Sequence, residues 1–292
     1  MMNPLDFLIN TLELEKIEEN IFRGNTIDIG SRSVFGGQVL AQALNAATRT
    51  VPKDRLAHSM HAYFILPGDI KAPIVYEVDT IRDGRSFTTR RVVAVQHGRP
   101  IFNMAASFQI EEEGAEHQIN MLNVPHPESL ASYQESITKW EKEGLEISSV
   151  FKRKDWPIEI RPVEDINPFN PGKRPPFKHV WFRANGKVAA DNHALHRYLV
   201  AYASDFNLLT SAMLPHNLSF YKEKIIIASI DHAMWFHRNF RSDEWLLYAI
   251  DSPSASNARG FTRGSIFNQE GILVASVTQE GLIRVVKDKN KK

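Results

Sequence analysis

The chain has no cysteine in its 292 residues. That absence excludes disulfides, thiolate metal sites and a cysteine nucleophile together, and it fits a reducing compartment. An excess of either charge is also missing: 35 Lys and Arg stand against 34 Asp and Glu, a formal net charge of +1. Such a balance gives no broad attraction to a nucleic-acid backbone. No run of about 20 apolar residues is present to span a bilayer. The opening stretch from Met1 lacks the basic start and apolar centre of a secretory signal, and the basic KDKNKK ending is no peroxisomal address. GxGxxG, Walker and GxSxG motifs are all absent, which leaves nucleotide folds and the common serine hydrolases without support. The expectation is a cytoplasmic globular protein with no membrane or nucleic-acid partner. Its 43% hydrophobic and 24% charged fractions are those of an ordinary folded chain.

What the chain does contain is a repeat. HSMHAYF from His58 returns in outline as DHAMWFH from Asp231, and Arg90, Gly98 and Ile101 return as Arg263, Gly271 and Val274, each displaced by 173 residues (231 − 58, 263 − 90, 271 − 98, 274 − 101). A constant offset predicts two copies of one supersecondary unit. In the first, Val39, Leu40, Ala43, Leu44 and Ala47 recur at helical spacing between Gly36 and Thr50, after a short starting helix from Pro4 to Thr11. Four strand-like runs follow, Leu56 to Leu66, Ile74 to Ile81, Ser86 to His97 and Ile101 to Ile110, punctuated by Pro67-Gly68, Asp83-Gly84 and Gly98 to Pro100. The second copy has a helix over Asn192 to Asn207, then strands at Lys224 to His237, Trp245 to Asp251, Ala258 to Asn268 and Ile272 to Arg284. This predicts an α+β chain with a unit at 1–115, a linker at 116–155 and a second unit at 156–292. Each helix needs an apolar sheet to cover, and two such units can pair edge strands into one continuous sheet. That is a double hotdog.

The second helix carries the informative acid. Leu195, Tyr198, Leu199, Tyr202 and Phe206 mark its apolar face, and Asp205 falls beside that stripe, so a carboxylate is aimed at the core or its margin and requires hydrogen-bond donors. The plain alternative is a helix C-terminal acid turning to solvent. On the last strand, alternation places Leu273, Ala275, Val277, Gln279, Gly281 and Ile283 on one face, so Gln279 is an amide on an apolar surface. Ser229 adds a hydroxyl among isoleucines, on a strand whose two faces are both apolar and whose direction the pattern leaves open. Singly, a bridging Gln and a space-filling Ser are the plainer readings. The first helix has no acid, however, and the 173 offset sets Ala106 against Gln279 and Leu56 against Ser229. The set belongs to one half only.

An acid, an amide and a hydroxyl without a His or Cys nucleophile suit activation of water. Gly36 and Gly37 open the first helix, where free N–H groups suit a substrate carbonyl, or else they allow close packing. His193 with His196, and His232 with His237, lack the partners that complete a metal set, so no metal or other cofactor is expected. Arg90, Arg91, Arg161, Arg259 and Arg263 suit either a nucleotide phosphate or ordinary ion pairs.

The motifs FRGNTIDIGSRSVFGGQVLAQAL, LPGD, IRDGRSFTTRRVVAVQ, YASDFNLL, IDHAMWFHR, EWLLY and SASNARGFTRG closely resemble those of the acyl-CoA thioesterase II family, over about Leu12 to Arg284. The resemblance implies a double hotdog enzyme that hydrolyses acyl-CoA to free acid and CoA. It also implies a water held by Asp205 of YASD, Ser229 of IASIDH and Gln279 of TQEG. Bacterial relatives in the family often carry Thr where this chain has Ser229, which keeps the hydroxyl but loses the methyl that fixes its rotamer. A homo-oligomer, dimer or tetramer, is expected, and the linker is expected to border the acyl channel. Two alternatives remain, an acyl-CoA hydratase of the same fold and a non-enzymatic acyl-CoA sensor. Against the first, YASDFN continues into Leu208, Leu209 and Thr210 rather than Pro and a catalytic His. Against the second stands the retained Asp, Ser and Gln set.

Overall fold

Asn3 begins the first helix by accepting a hydrogen bond from the Leu5 N–H, with Pro4 in the first turn. The structure is a computed structural model and describes residues 3–143, 145, 147, 156–206, 208–219 and 225–286. In chain order the elements are α1 (Pro4–Leu12), β1 (Glu15–Glu18), β2 (Ile21–Gly24), α2 (Gly36–Thr48), β3 (Leu56–Phe64), β4 (Ile74–Asp83), β5 (Phe87–Gln96) and β6 (Arg99–Gln109). Then come α3 (Tyr133–Lys142), β7 (Ile158–Pro162), β8 (Phe177–Ala184), α4 (His193–Ser204), β9 (Ile225–Ser229), β10 (Asp231–Phe236), β11 (Leu246–Ser256), β12 (Arg259–Asn268) and β13 (Leu273–Val285).

All the strands join one antiparallel sheet in the order β1-β2-β4-β5-β6-β3-β10-β13-β12-β11-β8-β7, with β9 beside β13. The halves meet where β3 pairs β10, His61 opposite Ala233 and Met60 opposite Met234. The expected double hotdog is therefore present, and the junction leaves neither inner edge exposed.

Both central helices are buried on more than the single face expected from spacing. Residues Gly37 to Ala47 of α2 and His196 to Ser204 of α4 are all buried. The sheet covers one side of each, and the other side meets the partner helix. The polar positions of α2 are satisfied by the N-terminal segment. Gln42 Nε2 donates to the Thr11 carbonyl at 2.6 Å and Asn45 Nδ2 to the Leu12 carbonyl at 2.7 Å, while Tyr76 donates to Gln42 Oε1 at 2.7 Å.

The constant offset of 173 needs correcting. Ala106, which pairs with Arg90 and Met60, faces the helices as Gln279 does, an offset of 173 (279 − 106). Gln279 pairs with Thr262, so the counterpart of Arg90 is Thr262 (262 − 90 = 172). Arg90 and Thr262 both point inward and are buried, whereas Arg263 is exposed. A strand pattern shifted by one residue changes faces, and sequence likeness alone masked that shift.

The strand expected at Lys224 to His237 is two strands, with Lys224 outside the described residues. Ser229 pairs with Gly281 and Ala233 with Thr278. Three residues, Ile230, Asp231 and His232, thus face two, Glu280 and Gln279, which is a β-bulge. The first copy has one at the same place, where His58 is extra between Ala57↔Phe108 and Ser59↔Ser107. The counterpart of Ser229 is consequently the buried Ala57, not Leu56.

Candidate active site

The helix expected over Asn192 to Asn207 ends at Ser204, and Asp205 is its C-cap; Asn207 lies outside the described residues. The carboxylate points inward. Gln279 on β13 donates through Nε2 to Asp205 Oδ1 at 2.9 Å and to Ser229 Oγ at 2.5 Å. The Gly37 N–H and the Ser229 hydroxyl also donate to the carboxylate. Burial nevertheless raises the pKa of Asp205 above the usual carboxylate value, the opposing hydrogen bonds being from Gln279, Gly37 and Ser229. The structure thus brings together Asp205, Ser229, Gln279 and the glycine pair from four separate elements.

The bulge explains the direction of Ser229. In β10, His232, Met234 and Phe236 face the helices and are buried. Strict alternation back through the strand would turn Ser229 outward. The extra residue reverses the parity, and Ser229 faces inward beside Gly281 and Gln279.

Gly36 and Gly37 sit where the start of α2 meets the end of α4. A Cβ on Gly36 would lie 2.6 Å from Asp205 Oδ2, and one on Gly37 would lie 2.3 Å from the Tyr202 carbonyl oxygen. Close helix–helix approach therefore requires them. Phe35, the N-cap, provides no side-chain bond to this first turn, so the turn directs backbone N–H groups at the site.

Sequence reasoning missed His232 as part of this neighbourhood. It is buried, and its Nε2 is 3.0 Å from Ser204 Oγ, which itself donates to the Ala201 carbonyl at 2.9 Å. Ser204 must accept, so Nε2 carries the hydrogen and Nδ1 is bare. Burial lowers the His232 pKa to about 3, which keeps the ring neutral. Tyr248 donates to the Ser204 carbonyl at 3.1 Å. Both side chains tie down the turn that presents Asp205. The only signal in the sequence was the inward parity of His232, which β-alternation from Met234 supplies.

The other candidates are not assembled. No metal-binding group of His, Asp and Glu occurs among the described residues. His196 Nδ1 accepts from the Ser242 N–H at 3.0 Å, and His237 points outward. Arg90, Arg91, Arg161, Arg259 and Arg263 pair with Asp83, Asp79, Glu159, Glu280 and Asp251 respectively. A cavity of about 460 Å³ lies under α3 and is lined by Tyr133, Trp140, Phe169, Val180, Met213 and Leu214, among others. Lys178 also lines it, and burial lowers that amine's pKa to about 7. Between this cavity and the site runs a 3-10 segment, Leu209–His216. Its Leu209 lies against Gly281, and its Met213 and Leu214 against the cavity.

Comparison with known proteins identifies the family. Residues 147–282 match the acyl-CoA thioesterase family model, and residues 24–109 match the acyl-CoA thioesterase N-terminal domain. Acyl-CoA thioesterase 2 of Haemophilus influenzae is 44% identical over 97% of this chain and 99% of its own. Human acyl-coenzyme A thioesterase 8 is 38% identical over 94% of this chain and 88% of its own. Among solved structures, an acyl-CoA thioesterase II from Mycobacterium marinum is 41% identical, with a TM-score of 0.78 over 96% of this chain and 99% of that one. A hotdog-fold protein of unknown function from Alicyclobacillus acidocaldarius, 18% identical with a TM-score of 0.75 over 96% of this chain and 99% of that one, shares the fold. With both halves matched and full-length relatives at this identity, the chain belongs to the acyl-CoA thioesterase II family and is a thioester hydrolase acting on acyl-CoA.

Proposed function

We propose that this enzyme hydrolyses fatty acyl-CoA by a single water activated by Asp205, Ser229 and Gln279. The observation that supports this most is the Gln279 amide, which donates to both the Asp205 carboxylate and the Ser229 hydroxyl. Its Oε1 is buried and takes no hydrogen bond from the described residues, so it is free to accept from the nucleophile. Water attacks the thioester carbonyl carbon as Asp205 takes its proton. The carbonyl π electrons move to oxygen and return as the C–S bond breaks, and the thiolate of CoA leaves and is protonated. The first turn of α2, through Gly36, is suited to stabilise the developing oxyanion.

The acyl chain is assigned to the cavity under α3, whose walls are mostly apolar and which adjoins the 3-10 segment that packs against Gly281 beside the site. Met213→Trp should then shift preference toward shorter chains. The three parts, residues 1–115, 116–155 and 156–292, divide the work between a pocket-shaping unit, a connecting segment and a unit carrying the reactive groups. A cytoplasmic homo-oligomer, dimer or tetramer, fits the exposed apolar side chains of the outward sheet face, such as Tyr63 and Phe261. No described helix is long and apolar enough to cross a membrane.

The test is release of free thiol from acyl-CoAs of graded length by wild type and Asp205→Asn. Loss of turnover with retained binding supports the assignment. Unchanged turnover would remove Asp205 from the chemistry, and binding without turnover in the wild type would favour a sensor.

A further inference from the structure

The bulge in the strand before His232 leaves a backbone problem. With three residues facing two, the Glu280 N–H has no carbonyl opposite it in the ladder. It donates instead to Asp231 Oδ1 at 2.7 Å. The neighbouring Ile230 keeps both its backbone groups bonded, its N–H to the Glu280 carbonyl at 2.9 Å and its carbonyl to the Phe64 N–H at 2.9 Å. Asp231 therefore closes the bulge, and Glu280 is the residue next to Gln279. The bulge is also what turns Ser229 inward. Gln279 is thus next to one end of this carboxylate–amide bond, and Ser229 is two residues from the other.

The first copy supplies a natural contrast. Its bulge at His58 has no acid, and the freed Ala57 carbonyl accepts from Arg197 Nε at 3.1 Å. There the position equivalent to Ser229 is alanine, so nothing reactive has to be aimed. The acid occurs only in the copy whose bulge orients a hydroxyl.

We infer that Asp231 is a positioning residue for the hydrolysis: by accepting the Glu280 N–H it locks the bulge that directs Ser229 at Gln279 and Asp205. The inference rests on the reading of Ser229 as part of the reactive set. It deepens that reading and does not add a group that touches substrate.

The experiment compares kcat and KM for Asp231→Ala, Asp231→Asn, Ser229→Ala and the double variant Asp231→Ala with Ser229→Ala, each checked for folding by circular dichroism. Asp231→Ala is expected to lose on the order of 10- to 100-fold in kcat, the cost of a small misplacement, with KM little changed. Asp231→Asn keeps an acceptor oxygen and should restore most of the rate. In the Ser229→Ala background, Asp231→Ala should cost little more, because the group it aims is gone. Losses that multiply in the double variant would overturn the inference and leave Asp231 a structural residue. If Ser229→Ala retains full kcat, the reading of Ser229 itself fails, a separate outcome. Where Asp231→Ala does not fold, Asp231→Ser, too short to reach the Glu280 amide, takes its place. Failure of both to fold would also overturn the inference.

Discussion

Gln279 Nε2 lies 2.9 Å from Asp205 Oδ1 although 74 residues separate them. One residue belongs to the end of a buried helix and the other to the middle of the last strand, so the bond measures how firmly the second half clamps helix to sheet. Because the same amide also holds Ser229, its loss releases two groups at once.

Gln279→Ala should lower kcat by roughly 10²-fold or more, the scale for removing one positioned polar group at a reacting centre. Gln279→Glu, isosteric but acidic beside Asp205, should also lose turnover. Steady-state thiol release measures both, and a loss under about threefold for the alanine variant would make Gln279 a structural bridge.

Asp205→Asn should separate activity from stability. Burial raises the folded-state pKa of Asp205, so between the unfolded value and that raised value the folded state binds more protons. Its contribution to stability is full below the unfolded pKa and is lost as pH rises through the folded one. At neutral pH the charged carboxylate therefore costs stability. The variant should melt higher than wild type near pH 7, with the gain shrinking as pH falls toward 4, while turnover is lost. A lower melting temperature at pH 7 would contradict this.

On the proposed mechanism the acid limb of the kcat profile should belong to Asp205, which must be ionised to take a proton. The limb should lie above the ordinary carboxylate range, because burial raises this pKa. His232, neutral with a pKa of about 3, should not add a limb near 6.5. His232→Gln should lower kcat and stability, the latter by about 1 kcal/mol for the lost bond to Ser204, yet leave the position of the limb unchanged. A limb that moves with this substitution would place His232 in the proton transfer.

Gly37→Ala should destabilise the fold by roughly 1–3 kcal/mol, as overpacking of a tight core does, since its Cβ would meet the Tyr202 carbonyl at 2.3 Å. Thermal melting reads the effect. A neutral outcome would mean that α2 and α4 move apart easily and that the close approach has little part in holding Asp205.

Much of this molecule was legible in one dimension. The repeat, the two helices, the strands after each helix and the restriction of an acid, an amide and a hydroxyl to one copy follow from periodicity and comparison of halves. Gln279 was readable because the alternation on β13 is clean, and Asp205 because it adjoins an apolar stripe. The family motifs then named the chemistry.

What the tertiary structure alone decided is direction. Ser229 points inward because three residues face two at the bulge, a fact about register between β10 and β13 that no pattern within one strand contains. Arg90 and Arg263 look equivalent in sequence yet lie on opposite faces, since a shift of one residue leaves local likeness intact and reverses the side chain. His232 stands behind Asp205 only because β10 crosses beneath the last turn of α4. Residue types and spacings are local and can be read along the chain; register and helix–helix approach depend on which strands and helices become neighbours.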